Sequence, residues 1–157
     1  MPESGAEGVI VVQGGVTGGW SIYAKDGKPK YCYNFLGLEH YFVKGGQALT
    51  AGQHQVRMEF AYDGGGLAKG GTVSLYVDGN KVGEGRVDRT EPFAFSADET
   101  LDIGRDDASS VSPDYTPKTN RFTGEVNWVE IDIDEAAEDL DHLITEEERY
   151  RVAMARQ

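Results

Sequence analysis

Residues 102 to 114 set four aspartates, Asp102, Asp106, Asp107 and Asp114, and three serines into thirteen positions. Oxygen donors at this density suit a hard cation, because Ca²⁺ takes roughly six to eight oxygens from carboxylates, hydroxyls and backbone carbonyls. The four aspartates are therefore candidate calcium ligands. The run lacks the Asp-x-Asp-x-Asp-Gly spacing of a helix-loop-helix calcium site, and its plain alternative is a solvated turn. Arg105, inside this stretch, and Tyr115, which directly follows it, are candidates for a ligand or interface contact.

The other groups with reactive chemistry fall short of a catalytic arrangement. Lys69 lies in a glycine-rich stretch, but Ala68 precedes it and Gly70 follows, where a phosphate-binding loop needs glycine before the lysine and a hydroxyl after it. His40, His54 and His142 are scattered, with neither cysteine partners nor H-E-x-x-H spacing, which argues against zinc. Cys32 is the single cysteine, so no internal disulfide forms, and in Tyr31-Cys32-Tyr33-Asn34-Phe35 it reads as an inert strand residue. No nucleophile–base pair can be proposed from spacing. Sugar sites in sandwich folds use exposed rings, and Trp20, Tyr23, Tyr31, Tyr33, Tyr41, Tyr76 and Tyr115 are available. Alternation places Tyr23 and Tyr76 opposite Ile22 and Leu75, and so exposed or at a domain contact.

The elements that must hold these groups read as short antiparallel strands. From Gly8 to Ile133 the apolar residues recur mostly at every second position, punctuated by Gly, Asp and Asn. Asp26-Gly27 and Asp78-Gly79 each separate two β-rich runs and mark hairpins, since glycine accepts positive φ. Strands are expected at 9–12, 20–25, 30–35, 38–43, 56–62, 73–77, from 82 onward, at 101–105 and at 122–133. The apolar parity of the last shifts after Trp128, which reads as a bulge. The strand at 56–62 should set Val56, Met58, Phe60 and Tyr62 on a core. So many short strands predict a mainly β fold, an antiparallel two-sheet β-sandwich.

Residues 1–7 read as disordered or a linker and 8–133 as the sandwich domain. Residues 134–157 read as an acidic helical tail in two short helices broken near Thr145, with an apolar stripe of Leu140, Leu143 and Ile144. The acidic run near Asp132 to Asp141 suits a solvated helix face. A length of 157 residues suits one domain. The net charge of −12 argues against nucleic acid and anionic membrane as partners. No run has the length of a membrane span and no signal peptide is visible, so the expectation is a soluble chain.

The order Gly18-Gly19-Trp20-Ser21-Ile22-Tyr23, Asp26-Gly27-Lys28, Tyr31-Cys32-Tyr33-Asn34, Leu49-Thr50-Ala51-Gly52-Gln53-His54 and Tyr76-Val77-Asp78-Gly79 resembles the concanavalin-like or laminin-G-like sandwich. This likeness implies a jelly roll. The runs from Tyr62 to Thr72, Asp98 to Asp106 and Glu148 to Gln157 resemble the C-terminal region of large bacterial arylsulfatases, over nearly the whole chain. That family hydrolyses sulfate esters with a formylglycine made from the first residue of Cys/Ser-x-Pro-x-Arg, beside a divalent cation. Cys32 has neither the proline nor the arginine. The resemblance therefore implies the non-catalytic tail of a sulfatase, partnered in cis by its catalytic domain, in bacterial cytoplasm or periplasm. Two alternatives stay open: a carbohydrate-binding module using the loops around 105–115, with or without calcium, and a structural domain that forms homo-oligomers.

Overall fold

The computed structural model describes residues 1–92, 95–96, 99–133 and 154. The tail expected to be helical lies outside the described residues except for Met154. Among the described residues no helix is long and apolar enough to cross a membrane.

Among the described residues eight strands form two antiparallel sheets. β1 (Gly8–Gly15), β2 (Gly18–Lys25), β3 (Lys28–Phe35) and β4 (Glu39–Lys44) follow one another as hairpins, and β8 (Leu101–Ile103) returns to the free side of β1, giving the order β4-β3-β2-β1-β8. β5 (Val56–Tyr62), β6 (Gly71–Val77) and β7 (Asn80–Val87) form the smaller sheet. The two-sheet sandwich is as expected. β1 to β4 and β5 to β7 run as meanders, and β8 crosses back from the smaller sheet to the larger.

Turn chemistry accounts for the hairpins. Asp26 and Gly27 have φ of 53° and 69°, and Asp78 and Gly79 have 51° and 80°, the paired positive values that match the right-handed twist of flanking strands. A third such turn, at Leu36 and Gly37 with φ of 54° and 69°, joins β3 to β4. Leucine disfavours this region, and the buried Asn34 compensates: its Oδ1 accepts from Gly37 N at 2.8 Å, while its Nδ2 donates to Gly15 O at 2.9 Å.

The main core lies between the sheets. Val11, Ile22, Tyr31 and Val43 stand in one row across the larger sheet and pack with Val73, Leu75 and Val87 of the smaller one. At the β4–β7 crossing the backbones come close, because a Cβ on Gly83 would meet Lys44 O at 2.7 Å. The opposite face of the larger sheet is also buried. Val9, Val12, Tyr23 and Cys32 pack there with Val111 and Tyr115, beneath the segment 104–122. Two polar anchors hold this strap: Asp106 N donates to Asn120 Oδ1 at 3.2 Å, and Asn120 Nδ2 to Asp106 O at 2.6 Å.

Several expectations need correction. Residues 122–133 form no strand; Val9 makes a single parallel bridge with Arg121, and beyond it the chain turns Phe122, Val126 and Val129 inward at intervals of four and three. Irregular inward spacing meets the core between the sheet edges, where no ladder is required. The strand expected at 101–105 stops at Ile103 because Gly104 takes φ of 78°. Residues 1–7 carry no strand, yet Ala6 is fully buried and Glu7 N donates to Thr123 Oγ1 at 3.0 Å. In β5 the inward face is only half covered: Val56 and Met58 reach the core while Phe60 stays 37% exposed.

Gly83→Ala forces carbon into backbone at the sheet crossing, an overpacking of the kind that typically costs about 1–3 kcal/mol. Urea unfolding of the variant should show a lower midpoint with an unchanged slope; an unchanged midpoint would mean that the two edges do not touch.

Candidate functional site

The four aspartates of residues 102–114 are dispersed among separate partners. Asp102 accepts from Asp107 N at 3.1 Å, and the Asp107 carboxylate pairs with Arg105 at 2.6 Å on the surface. Asp106 is 2% exposed; its Oδ2 accepts from Val111 N at 3.0 Å and Tyr115 OH at 2.8 Å. Burial pushes the Asp106 carboxyl upward, against those two hydrogen bonds. Asp114 accepts from Tyr23 OH at 2.6 Å and from Lys30, with Lys25 at 3.3 Å. Desolvation acts to raise its pKa, but the Lys30 and Tyr23 hydrogen bonds and the two lysine charges hold it below the ordinary carboxylate range. Among the described residues no group of three or more His, Cys, Asp or Glu is arranged to hold a metal ion.

The ring candidates are also occupied. Tyr23 was expected to be exposed or at a domain contact, yet it is 1% exposed, because the strap covers the face that alternation assigns to solvent. Tyr115 meets it edge to face, with centroids 5.3 Å apart. Tyr76 is half-buried on the outer face of the smaller sheet, and the Arg57 guanidinium stands 4.2 Å from its ring centre. Arg105 remains exposed beside Asp107. Tyr23, Tyr115, Asp106 and Asp114 are thus brought together as a buried polar network, while Tyr76 lies apart.

Two adjoining clefts, of whose walls sequence reading marks only Arg105 as a candidate contact, lie at one end of the fold. One, of about 500 Å³, is lined by Gln53, His54, Gln55, Asp78, Asn127 and Trp128, with Met1 at its wall. The other, of about 340 Å³, is lined by Ile103, Arg105 and Arg121; both include Phe122, Glu125 and Val126. His54 stiffens the first: its Nδ1 lies 2.6 Å from Asp78 Oδ2 and its Nε2 3.0 Å from Thr50 O. The His54 hydrogen bond, and then that from Gln55 N, hold the Asp78 carboxyl below its usual range. Trp128 is 58% exposed at this wall. Its one visible signal in sequence is a tryptophan at a break in strand parity.

No protein-family model matches the chain, and neither does any curated protein or solved structure.

The Asp114 network makes stability depend on pH. A carboxyl held low in the folded state stabilises fully above its unfolded pKa of about 3.9 and loses that contribution as pH falls through the folded value. Asp114→Asn is therefore expected to lose about 1–2 kcal/mol at neutral pH, a modest figure because Lys25 is partly open to solvent. Melting curves from pH 7 to pH 3 should show the gap to the parent protein closing on acidification; a gap that widens would contradict the assignment.

Proposed function

We propose that the chain is a non-catalytic accessory domain, the C-terminal sandwich of an arylsulfatase of the kind its sequence resembles, which packs on the catalytic domain in cis and borders its substrate cleft. The observation that carries this reading is an unfinished inner face. Leu101 and Ile103 stand in register with Gln13 and Val11, on the side of the larger sheet that faces the smaller one. The closest approach of the sheets is β3 and β4 against β6 and β7, and β8, at the far edge, overhangs. Leu101 is accordingly 39% exposed and Ile103 51%, and Ile131 and Ile133 of the closing segment are exposed as well. Apolar residues aligned on an inward face and left partly exposed among the described residues suit a neighbouring domain of the same polypeptide.

The cysteine chemistry agrees with a supporting role. Cys32 is fully buried, and burial, which outweighs a hydrogen bond from Ser112, pushes its thiol up to about 12. Such a group holds little thiolate at neutral pH and cannot act as an accessible nucleophile.

Two measurements test the reading. The purified chain should show no turnover of a chromogenic aryl sulfate; turnover that disappears in Cys32→Ala would overturn the non-catalytic assignment. Amides near Leu101 to Ile103 should exchange more slowly in a full-length enzyme carrying this domain than in the isolated chain. Equal exchange in the two would remove the docking surface.

A further inference from the structure

We propose that the two adjoining clefts form one groove for an acidic oligosaccharide, with a sugar ring on Trp128 and its anionic substituent at Arg121 and Arg105. The inference stands apart from the accessory-domain reading, since it concerns binding by this chain alone.

Trp128 supplies the platform. An indole this exposed presents a broad apolar face with an N–H at its rim, the pairing of surfaces that a pyranose offers through its C–H face and its hydroxyls. Among the described residues no aromatic or cationic group stands on its ring. The side-chain amides of Gln53, Gln55 and Asn127 share the cleft, and none makes a hydrogen bond to another described residue. Each offers donors and an acceptor, which matches a hydroxyl that must both give and receive. The clefts, about 500 and 340 Å³, fall in the size range of small-molecule sites. The floor is firm, because Phe122 is buried and His54 is held from two sides.

Charge selects the ligand class. The chain carries 27 acidic against 15 Lys and Arg residues, so an unpaired arginine is conspicuous. Arg121 makes no salt bridge or side-chain hydrogen bond among the described residues, and Arg105 faces the same cleft while held only by a surface carboxylate. A guanidinium in this state suits a planar or tetrahedral oxyanion, which it can grip with two N–H groups. Glu125, on the wall common to both clefts, disfavours a second negative charge nearby. The fit is to a sugar charged at one end, its anion coming from either a sulfate ester or a uronate carboxylate.

The test titrates the full chain, by calorimetry, with three probes: a chondroitin-type sulfated tetrasaccharide, tetragalacturonate and cellotetraose. Saturable binding of one or both charged probes, stronger than that of the neutral one, is expected, and comparison of the two charged probes tells sulfate from uronate. Trp128→Ala should weaken binding about tenfold, the scale of one lost stacking contact. Arg121→Gln should weaken it several-fold and flatten its salt dependence, while Glu125→Gln should tighten it. These side chains are exposed, so unchanged melting of the variants establishes that folding is intact. No saturable binding of either charged probe, indifference to Trp128→Ala, or equal binding of cellotetraose untouched by Arg121→Gln would overturn the proposal.

Discussion

The larger sheet, apart from its β8 edge, is covered on both faces, and the rest of the structure answers to that constraint. On one face the requirement is met by apolar side chains from the smaller sheet. On the other it is met by the strap 104–122, which brings few apolar groups and must therefore satisfy the polar ones it shuts in. Ser21 lies beneath it within 2.9 Å of Tyr115 OH, and Tyr23 OH finds Asp114 with Ser112 Oγ at 3.3 Å. Lys30 reaches Asp114 with its ammonium 4.5 Å from the Phe42 ring centre. Asp106 and Asp114, two of the four candidate aspartates, take part in sealing the sheet beneath this polar segment.

What could be read from sequence was local. Asp26-Gly27 and Asp78-Gly79 announce their turns because glycine at positive φ is needed within four residues of chain. The Leu36-Gly37 turn is hidden, since leucine gives no such signal and the Asn34 amide that stabilises it can be recognised only once Gly15 and Val16 are known to lie alongside. Alternation in β2 separates Ile22 from Tyr23 correctly but cannot say what covers the second face; the cover comes from residues about ninety positions later. The alternating run 129–133 satisfies a strand pattern without a ladder. Pattern measures what a segment would bury, and pairing depends on an edge being free to receive it.

The same reasoning explains why the clefts were invisible. Their walls come from Met1, Ile10, residues 52–56, Asp78, residues 103–105 and residues 121–128, which lie far apart along the chain. No two of these stretches are neighbours in sequence, and only 103–105 falls in a stretch that sequence reading singles out as a candidate site. The resemblance to the concanavalin-like sandwich rests on order and turn chemistry, so it speaks to architecture and leaves the surface to be read from the coordinates.

The order in which the strands are connected has a consequence for how the chain assembles. Both meanders close through short loops and can form from neighbouring residues, which is the inexpensive kind of contact in entropic terms. β8 and the strap cannot, because they must return to β1 from beyond β7, some ninety residues after it. A chain with both meanders formed and the strap still absent leaves Val9, Val12, Tyr23 and Cys32 facing water as a flat apolar surface. The speed with which residues 104–122 cross that surface then sets the exposure of newly made chains to one another. Cys32 is the reporter that nature has left there, a thiol open to reagents only while the strap is off.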